Sequence, residues 1–245
     1  MNYIELVSAA VRTFWAEREQ QRIRQAASTS DQDRGSRGAV TGGKQLDGFV
    51  AIVGQILRDA GLANGEIYTK HDTTLPGFFR PAKNWDIVAV AGGELIATIE
   101  LKSHVGPSFG NNFNNRVEEA IGSSTDILTA YREGKFQLAS RPWLGWLMLL
   151  EDADESSSDV RVNEPHFPVF PEFRNGSYAK RYEVFCEKLM RERLYDATCL
   201  ILSGKETGVF GQYREPNPDL GFAAFAASLR ARALAYSEQR RSSSP

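Results

Sequence analysis

Cysteine and histidine are scarce in this chain, and their scarcity argues against several kinds of site. The chain has 2 cysteines, Cys186 and Cys199, each within an apolar stretch, so we expect buried thiols rather than a disulfide or a zinc site. The 3 histidines, His71, His104 and His166, are scattered along the sequence. This spacing disfavours a metal centre or a nuclease site built on histidine.

Long apolar runs and a strong net charge are also missing. The longest apolar window covers residues 143–150, far short of the roughly 18 residues that a membrane helix needs. The N-terminus has neither the basic start nor the apolar core of a signal peptide. We therefore expect a cytoplasmic protein without a membrane segment. The formal net charge of -2 neither supports nor excludes DNA binding, because the local placement of charge decides that.

The sequence does contain a pair of strands with charges at their ends. Residues 87–90 and 95–99 are β-branched or apolar and predict two core strands joined by a tight Gly-Gly turn. Asp86 precedes the first strand, and Glu100 and Lys102 end the second. Because strand residues two positions apart point to the same side, Glu100 and Lys102 share one face. One face of the hairpin is therefore expected to pack in the core, and the other to carry Glu100 and Lys102.

The trio of Asp86, Glu100 and Lys102 suits phosphodiester hydrolysis. Two carboxylates can hold a hard divalent cation, which prefers oxygen ligands and supplies Lewis acidity and an activated water. Lys102 can either hold the scissile phosphate as an ammonium or, with a lowered pKa, handle the proton of the attacking water. The alternative is that the three charges only cap the solvent end of a hairpin, since this spacing is short and common.

The relative position of the two carboxylates depends on the register of the hairpin. A regular two-residue turn would pair Asp86 with Ile99 and place Asp86 on the face opposite Glu100. A three-residue loop, or a β-bulge near Asp86, pairs Asp86 with Glu100 instead, with Cβ atoms about 4.5–5.5 Å apart. A shared metal site therefore predicts an odd-length connection or a bulge.

Segments around the trio resemble a known nuclease family. Residues 42–49, 79–86 and 100–116 carry the resemblance, which runs over the whole chain and is to the PD-(D/E)XK nucleases, in particular the XhoI-type type II restriction endonucleases. The trio matches the catalytic positions of that family, whereas Trp85 stands where the broader motif often has proline. The resemblance implies Mg²⁺-dependent cleavage of duplex DNA at a palindrome, for this family CTCGAG cut after the first C, without an organic cofactor. Cutting both strands of a palindrome further implies a homodimer with two equivalent sites.

The resemblance also implies binding residues. The expected metal ligands are Asp86, Glu100, Leu101 and, from the first turn of the preceding helix, Asp47, although an acid there can equally be a partner of the helix dipole. The candidate DNA contacts are Lys44, Gln45, Arg80, Lys83, Asn84, Ser103, His104, Asn111, Asn112, Asn114, Asn115 and Arg116. Asparagine can pair with adenine and arginine with guanine, but asparagine beside glycine can also simply form turns.

Periodicity orders the rest of the chain. Apolar residues recur with helical spacing in five segments, near residues 3–26, 46–61, 117–134, 182–189 and 222–233. Unbroken apolar runs at 144–150 and 197–202 are typical of central strands. The order helix, hairpin, helix, strand, helix, strand predicts an α/β fold with a central mixed β-sheet flanked by helices, which is also the PD-(D/E)XK core order.

We expect a single endonuclease domain over 1–245, divided into a helical extension and flexible loop (1–44), a nuclease core (45–203) and a C-terminal helix and tail (204–245). Residues 28–43, rich in Ser, Asp and Gly, are either a linker or an arm that orders on DNA. Residues 104–115 predict a polar loop, with Asn115 and Glu118 as the capping pair of the next helix. Residues 237–245 predict a frayed tail.

Two other functions are compatible with the trio. Another nuclease of the same motif, such as a repair or junction-resolving enzyme, would recognise DNA structure rather than sequence. A non-catalytic DNA-binding protein would use the carboxylates only structurally. Cleavage of one duplex sequence rather than branched DNA would distinguish a restriction enzyme from the repair or junction-resolving nuclease. Cleavage of a plasmid in the presence of Mg²⁺ would distinguish it from the non-catalytic DNA-binding protein.

Overall fold

A computed structural model describes residues 2–27, 44–136 and 140–242; the predicted linker or arm at 28–43 lies outside the described residues. Helices α1 to α7 cover Tyr3–Ala27, Asp47–Asp59, Phe109–Arg132, Asp154–Ser157, Tyr178–Arg191, Lys205–Gly208 and Phe222–Ser242. Strands β1 to β7 cover Ile67–Tyr68, Thr74–Pro76, Ala82–Asn84, Ile87–Ala91, Glu94–His104, Trp143–Glu151 and Ala197–Ser203. Among these helices, none has both the length and the apolar character to cross a membrane.

Within the described residues, five strands form a mixed sheet in the order β1, β4, β5, β6, β7. Strands β1, β4 and β5 are antiparallel neighbours, whereas β6 lies parallel to β5 and β7 lies parallel to β6. The parallel strands are buried along nearly their whole length, as expected where helices cover both faces of a sheet. The predicted α/β class, with a central mixed sheet flanked by helices, is confirmed.

Two apolar cores, one on each face of the sheet, hold the helices in place. Helices α1, α2 and α7 pack on one face through residues such as Phe14, Phe49 and Phe225. Helices α3 and α5 pack on the other face, where Phe113 and Tyr182 are buried. Because side chains alternate along a strand, β5 contributes to both layers and presents its polar residues towards α3.

The β4–β5 hairpin combines a two-residue turn with a β-bulge. The turn consists of two glycines with φ of 57° and 82°, a conformation that favours glycine. Val90 pairs with Leu95, but Ala89 pairs with Ala97, so Ile96 is the extra residue of the bulge. The same slip explains why Ile96 and Ala97, although adjacent, both pack in the core on the α1 side of the sheet.

The bulge aligns the two predicted catalytic carboxylates. Beyond the bulge, the register brings Asp86 beside Glu100. The turn has two residues, and the bulge restores the parity, so the prediction of an odd-length connection or a bulge is confirmed. The guanidinium of Arg232 on α7 donates to the carbonyl oxygen of Ile96 over 3.3 Å, so a long-range hydrogen bond stabilises the irregular position.

Helix α3 begins earlier than the sequence predicts. It starts at Phe109, so most of the predicted polar loop at 104–115 is helical, and Asn115 and Glu118 do not form its capping pair. The first turns are held by burial of Phe109 and Phe113, which are four residues apart and therefore share one helix face. The surrounding asparagines and glycine conceal this short apolar stripe in the sequence.

Helix α7 extends to Ser242, which corrects the prediction of a frayed tail from Ser237 onwards. Ser237 is buried, and its hydroxyl donates to the carbonyl oxygen of Ala60 over 2.8 Å. The C-terminal end of α2 is thereby fixed to α7, and this contact holds the last turns of the chain against the fold.

Candidate active site

Asp86 lies at the start of β4 and is half-buried. The backbone N–H of Leu101 on β5 donates to its Oδ2 over 2.7 Å, a bond that joins the two strands and orients the carboxylate. The preceding residue, Trp85, is buried, and its N–H donates to the carbonyl oxygen of Thr73 over 3.0 Å. The backbone that carries Asp86 is therefore held on both sides.

Glu100 is buried beside Asp86, with 4% of its surface exposed. Its Oε1 pairs with the ammonium of Lys102, and its Oε2 lies 2.8 Å from the ammonium of Lys83. The ammonium of Lys83 also lies 4.9 Å from the centre of the Trp85 ring. A buried carboxylate is costly unless it is paired, and these two lysines provide the pairing. Lys83, expected to be a DNA contact, is thus also part of this ion-pair cluster.

The environment changes the pKa values of this cluster. Burial raises the pKa of the Asp86 carboxyl, and the nearby charge of Glu100 raises it further, while the Leu101 N–H acts in the opposite direction. Burial acts to lower the pKa of Lys102, but the carboxylates of Glu100 and Asp86 outweigh it and raise the pKa overall. The site therefore holds two mutually repelling carboxylates next to a lysine that keeps its charge.

The cluster opens onto a cleft of about 530 Å³ between α1, the turn before α2, β5 and α3. The residues that line it are Arg18, Gln21, Gln45, Leu46, Val50, Asp86, Leu101, Lys102, Ser103, His104, Val105, Asn112 and Arg116. Among the side chains of these residues, Arg18, Lys102 and Arg116 are cationic and Asp86 is acidic. This charge balance suits a polyanion such as a nucleic-acid backbone.

Several predicted residues meet at the cleft. They are Gln45, Asp86, Leu101, Lys102, Ser103, His104, Asn112 and Arg116. Glu100 does not line the cleft itself but contacts it through Lys102. The residues come from three elements, the turn before α2, the hairpin and the start of α3, so the packing of the helices on the sheet assembles the cleft.

Asp47 is not brought to the two carboxylates. It is exposed in the first turn of α2 and does not line the cleft. The described part of the chain contains no group of three or more His, Cys, Asp or Glu residues that could hold a metal ion. Gln45, from the 3-10 turn Lys44–Leu46, is buried and lines the cleft at this point instead.

Other predicted DNA contacts lie outside the cleft. Arg80 pairs with Asp126 over 2.7 Å, and the side-chain oxygen of Asn84 accepts a hydrogen bond from the hydroxyl of Thr74. Four further residues, Lys44, Asn111, Asn114 and Asn115, are exposed to solvent. Their side chains are accessible to a partner, but they do not belong to the cluster around Asp86.

His104, a predicted DNA contact, is buried rather than exposed. It is 2% exposed, its Nδ1 lies 2.8 Å from the hydroxyl of Tyr182, and its ring packs 4.8 Å from that of Phe109. Burial lowers the pKa of His104 to about 4, so the ring is neutral near pH 7. Parity places His104 on the same face of β5 as Lys102, but there α5 and α3 cover it.

Sequence patterns missed two contributions from α1. Arg18 and Gln21 both line the cleft, although α1 was expected only as a helical extension. The Nη1 of Arg18 lies 3.4 Å from Oε1 of Gln45, and the amide of Gln45 donates to Gln21. Burial lowers the pKa of Arg18. The sequence does contain a signal for Arg18. It follows Phe14 by four residues and therefore lies on the same face of the helix as the apolar stripe.

The residues at this site fit a divalent metal ion. The Oε2 atom of Glu100 is buried and has no hydrogen-bond partner among the described residues, although Lys83 is near. Asp86 and the backbone carbonyl of Leu101 add hard oxygen donors. Mg²⁺ commonly binds one or two carboxylates together with water and substrate phosphates, so it does not require a third acidic side chain. The oxygen donor set favours Mg²⁺ or Ca²⁺ over zinc.

Two neighbouring carboxylates and a lysine beside a cation-lined cleft, on an α/β sheet, indicate an enzyme that acts on phosphate esters. Sequence comparison makes the class specific, because a family model described as "Restriction endonuclease XhoI" matches residues 24–215. The chain belongs to this family of type II restriction enzymes, which are site-specific deoxyribonucleases.

Curated relatives agree with the family assignment. The chain is 53% identical over 205 residues to "Type II restriction enzyme BstVI" of Geobacillus stearothermophilus, covering 82% of this chain and 92% of the relative. It is 47% identical over 193 residues to "Type II restriction enzyme XhoI" of Xanthomonas vasicola, covering 77% and 75%. It is 48% identical over 167 residues to "Type II restriction enzyme AbrI" of Azospirillum brasilense, covering 68% and 74%. No solved structure matches the chain.

Proposed function

We propose that this chain is a Mg²⁺-dependent type II restriction endonuclease of the PD-(D/E)XK type, which cuts both strands of duplex DNA at CTCGAG, after the first C. Membership of the family supports site-specific cleavage of DNA. One observation carries the assignment of the catalytic residues: the bulged register, in which Asp86 and Glu100 are neighbours and Lys102 pairs with Glu100.

In this proposal, Asp86, Glu100 and the carbonyl of Leu101 would hold the Mg²⁺ ion. The bound ion supplies Lewis acidity at the phosphate and an activated water. Lys83 and Lys102 hold Glu100 from its two oxygens, so the carboxylate is oriented before substrate binds. Gln45, rather than Asp47, is the residue of the α2 side that faces this site, and Arg18 orients it.

Of the two roles open to Lys102, holding the scissile phosphate fits its contacts better. Its ammonium lines the cleft and pairs with Glu100, and a lysine beside a carboxylate retains its proton. A fixed positive charge at this point stabilises the charge that develops on the phosphate during hydrolysis. A lysine that keeps its proton does not act as the base for the attacking water.

The DNA backbone lies along the cationic side chains of the cleft. Arg18 and Arg116 flank the reactive cluster, and the amides of Gln45 and Asn112 add hydrogen-bonding groups. Contacts of this kind position the duplex but do not read its sequence. The exposed asparagines at the start of α3, Asn111, Asn114 and Asn115, are proposed to reach the bases from the groove.

A palindromic site requires two equivalent active sites. We therefore propose that the protein acts as a homodimer with a twofold axis, formed from single-domain subunits that work in the cytoplasm. Each subunit cuts one strand, so that one binding event yields a double-strand break.

The decisive experiment is digestion of a supercoiled plasmid that carries one CTCGAG site. With Mg²⁺ we expect linear product whose sequenced ends map after the first C on both strands. A plasmid with one base pair of the site changed, and a reaction with EDTA, are the controls and should remain uncut. Linearisation at another unique sequence would support the proposed nuclease activity but show that CTCGAG is not the recognition site.

The same assay separates the rival functions. A repair or junction-resolving nuclease of this motif would leave the plasmid intact and cut a four-way junction or another branched substrate. A non-catalytic DNA-binding protein would retard the duplex in a gel without cutting either substrate. Either result would overturn the proposed sequence-specific cleavage.

A further inference from the structure

The small hairpin β2–β3 presents two large aromatic rings to solvent. Its tip, residues 77–81, carries Phe78 and Phe79, which are 50% and 69% exposed. Their rings contact each other edge to face, with centroids 4.9 Å apart. Single exposed apolar side chains need no explanation, but these two adjacent rings form one contiguous apolar patch.

The tip is held rigidly. Asp126 on α3 accepts hydrogen bonds from the backbone N–H groups of Phe78 and Phe79, and from Nε of Arg80, each over 2.7 Å. Gly77 permits this close approach, because a Cβ there would lie 2.3 Å from Oδ2 of Asp126. A buried carboxylate and an obligatory glycine therefore fix the backbone, while the two rings stay uncovered.

The tip is also close to the reactive cluster. The strand that leaves it contains Lys83, which pairs with Glu100. At about 3.3 Å per residue, the four or five residues from Lys83 to the ring pair span at most roughly 17 Å. Six base pairs span roughly 20 Å at 3.4 Å per step. The tip therefore lies no farther from Lys83 than the length of a six-base-pair site.

The size of the patch favours DNA over a second copy of the chain. The two half-exposed rings offer roughly 250 Å², whereas a stable dimer needs about 800 Å² per partner. Arg80 and Lys83 are paired with Asp126 and Glu100, and the remaining charges of residues 69–85 are Lys70 and Asp72. The tip therefore carries no excess negative charge that would repel the phosphates beside a base step.

We propose that Phe78 and Phe79 form an aromatic wedge that stacks against, and partly opens, a base step of the bound duplex within or next to the cleavage site. Rings inserted between bases gain stacking and can bend the duplex towards the protein surface. The wedge rests on the proposed function, because its reach is measured from the proposed active site. It adds a DNA contact that none of the cleft residues provides.

The test uses the double variant Phe78→Ser/Phe79→Ser, with Phe210→Ser as the matched control, since Phe210 is a comparably exposed phenylalanine at 73%. All proteins also carry Glu100→Gln, so that the duplex is not cut. The probe is a duplex that contains the cut site, with 2-aminopurine placed in turn at each step within and beside it. Its fluorescence rises when stacking is lost.

We expect the control protein to raise the fluorescence at one base step. The double variant should abolish that rise and bind the duplex about 5- to 100-fold more weakly. Unchanged fluorescence and affinity in the double variant would overturn the wedge. A double variant that sediments as a monomer, when the control is a dimer, would assign the tip to subunit association and overturn it as well.

Failure of the proposed function is distinguishable from failure of the wedge. If the protein carrying only Glu100→Gln still cuts the plasmid, the catalytic assignment is wrong, whereas the fluorescence signal of Phe78 and Phe79 is measured independently of cleavage. If cleavage is lost in Glu100→Gln and the double variant still unstacks the same step, the catalytic assignment stands and the wedge is wrong.

Discussion

Two carboxylates are buried to the same extent in this protein but have different kinds of partner. Glu100 and Asp126 are each 4% exposed. Asp126 uses both oxygens, two of its three donors being backbone N–H groups at the β2–β3 tip. Glu100 is held by two lysine ammoniums, and its Oε2 accepts no hydrogen bond from the described residues.

In the proposed mechanism, this difference distinguishes a structural carboxylate, Asp126, from a reactive one, Glu100. Backbone donors cannot leave Asp126 unless the tip refolds, so this carboxylate determines a shape. Lysine ammoniums end long flexible side chains, so the partners of Glu100 can shift when a phosphate enters the cleft. Complete hydrogen bonding gives rigidity, whereas incomplete hydrogen bonding leaves capacity for a ligand.

The largest effect is expected from neutralising the reactive carboxylates. Glu100→Gln or Asp86→Asn should lower the cleavage rate by more than about 1,000-fold, because metal-assisted charge stabilisation contributes several kcal/mol. DNA binding should persist or tighten, since a negative charge near phosphate is removed. The measurements are plasmid cleavage and gel retardation, with Glu94→Gln on the same strand as the control. Cleavage at the wild-type rate by either variant would contradict the proposed catalytic role of that carboxylate.

Lys102→Ala should lower the cleavage rate by about 100- to 1,000-fold, the usual contribution of one positioned charge at the transition state. Affinity for the duplex should fall much less. Lys102→Arg should recover little activity, because a planar guanidinium does not replace a compact ammonium. Single-turnover cleavage and binding assays check this, with Lys180→Ala as the charge-matched control. Full activity in Lys102→Arg would show that Lys102 contributes only a positive charge for phosphate binding.

Asp126→Asn should reduce the free energy of unfolding by about 2–3 kcal/mol, the cost of weakening charged hydrogen bonds to a buried group. Denaturant unfolding measures this, and Glu118→Gln, an exposed acid on the same helix, should have little effect. Equal stability of Asp126→Asn and the wild type would show that the tip does not depend on the carboxylate.

The same variant gives a pH test. Burial acts to raise the pKa of Asp126, but the hydrogen bonds from Arg80 and from the N–H groups of Phe79 and Phe78 outweigh it and lower the pKa overall. A folded pKa below the unfolded value of about 3.9 means that this stabilisation is present above pH 3.9 and is lost as the pH falls further. Asp126→Asn should lack this part of the acid sensitivity.

The smallest effect distinguishes two residues at the start of α2. Gln45→Leu should lower the cleavage rate by about 10- to 100-fold, the range for residues that orient a metal site. Asp47→Asn should change it less than about twofold, because Asp47 is exposed away from the cleft. Plasmid cleavage at matched protein concentration compares the two. A larger loss of cleavage rate in Asp47→Asn than in Gln45→Leu would support Asp47 as a metal ligand.

Local patterns in the sequence predicted the hairpin and its trio correctly in position. The alternation of apolar and charged residues around Glu100 is a short-range property, and the need for both carboxylates on one face pointed to the bulge. The helical and strand periodicities likewise located α1, α2, β6 and β7, because each buries a continuous stripe or run.

Features that depend on distant contacts were not predictable in the same way. Arg18 joins the cleft only because α1 packs beside α2, and the start of α3 is set by burial of Phe109 against other elements. The structural role of Asp126 could not be predicted from the sequence, because two of its partners are backbone N–H groups far away along the chain. Burial of His104 likewise depends on the helices that cover it.

The bulge at Ile96 has a consequence for how this family can vary. If the same residues formed a regular hairpin without the bulge, Ile96 would pair with Ala89 and Ile99 with Asp86, and Glu100 and Lys102 would turn towards the opposite layer of helices. The bulge therefore brings the two carboxylates together, although it contains neither of them. Among homologues that cut DNA, the number of residues between the two carboxylates should therefore vary together with the bulge, and it should be one smaller where a two-residue turn joins regular strands.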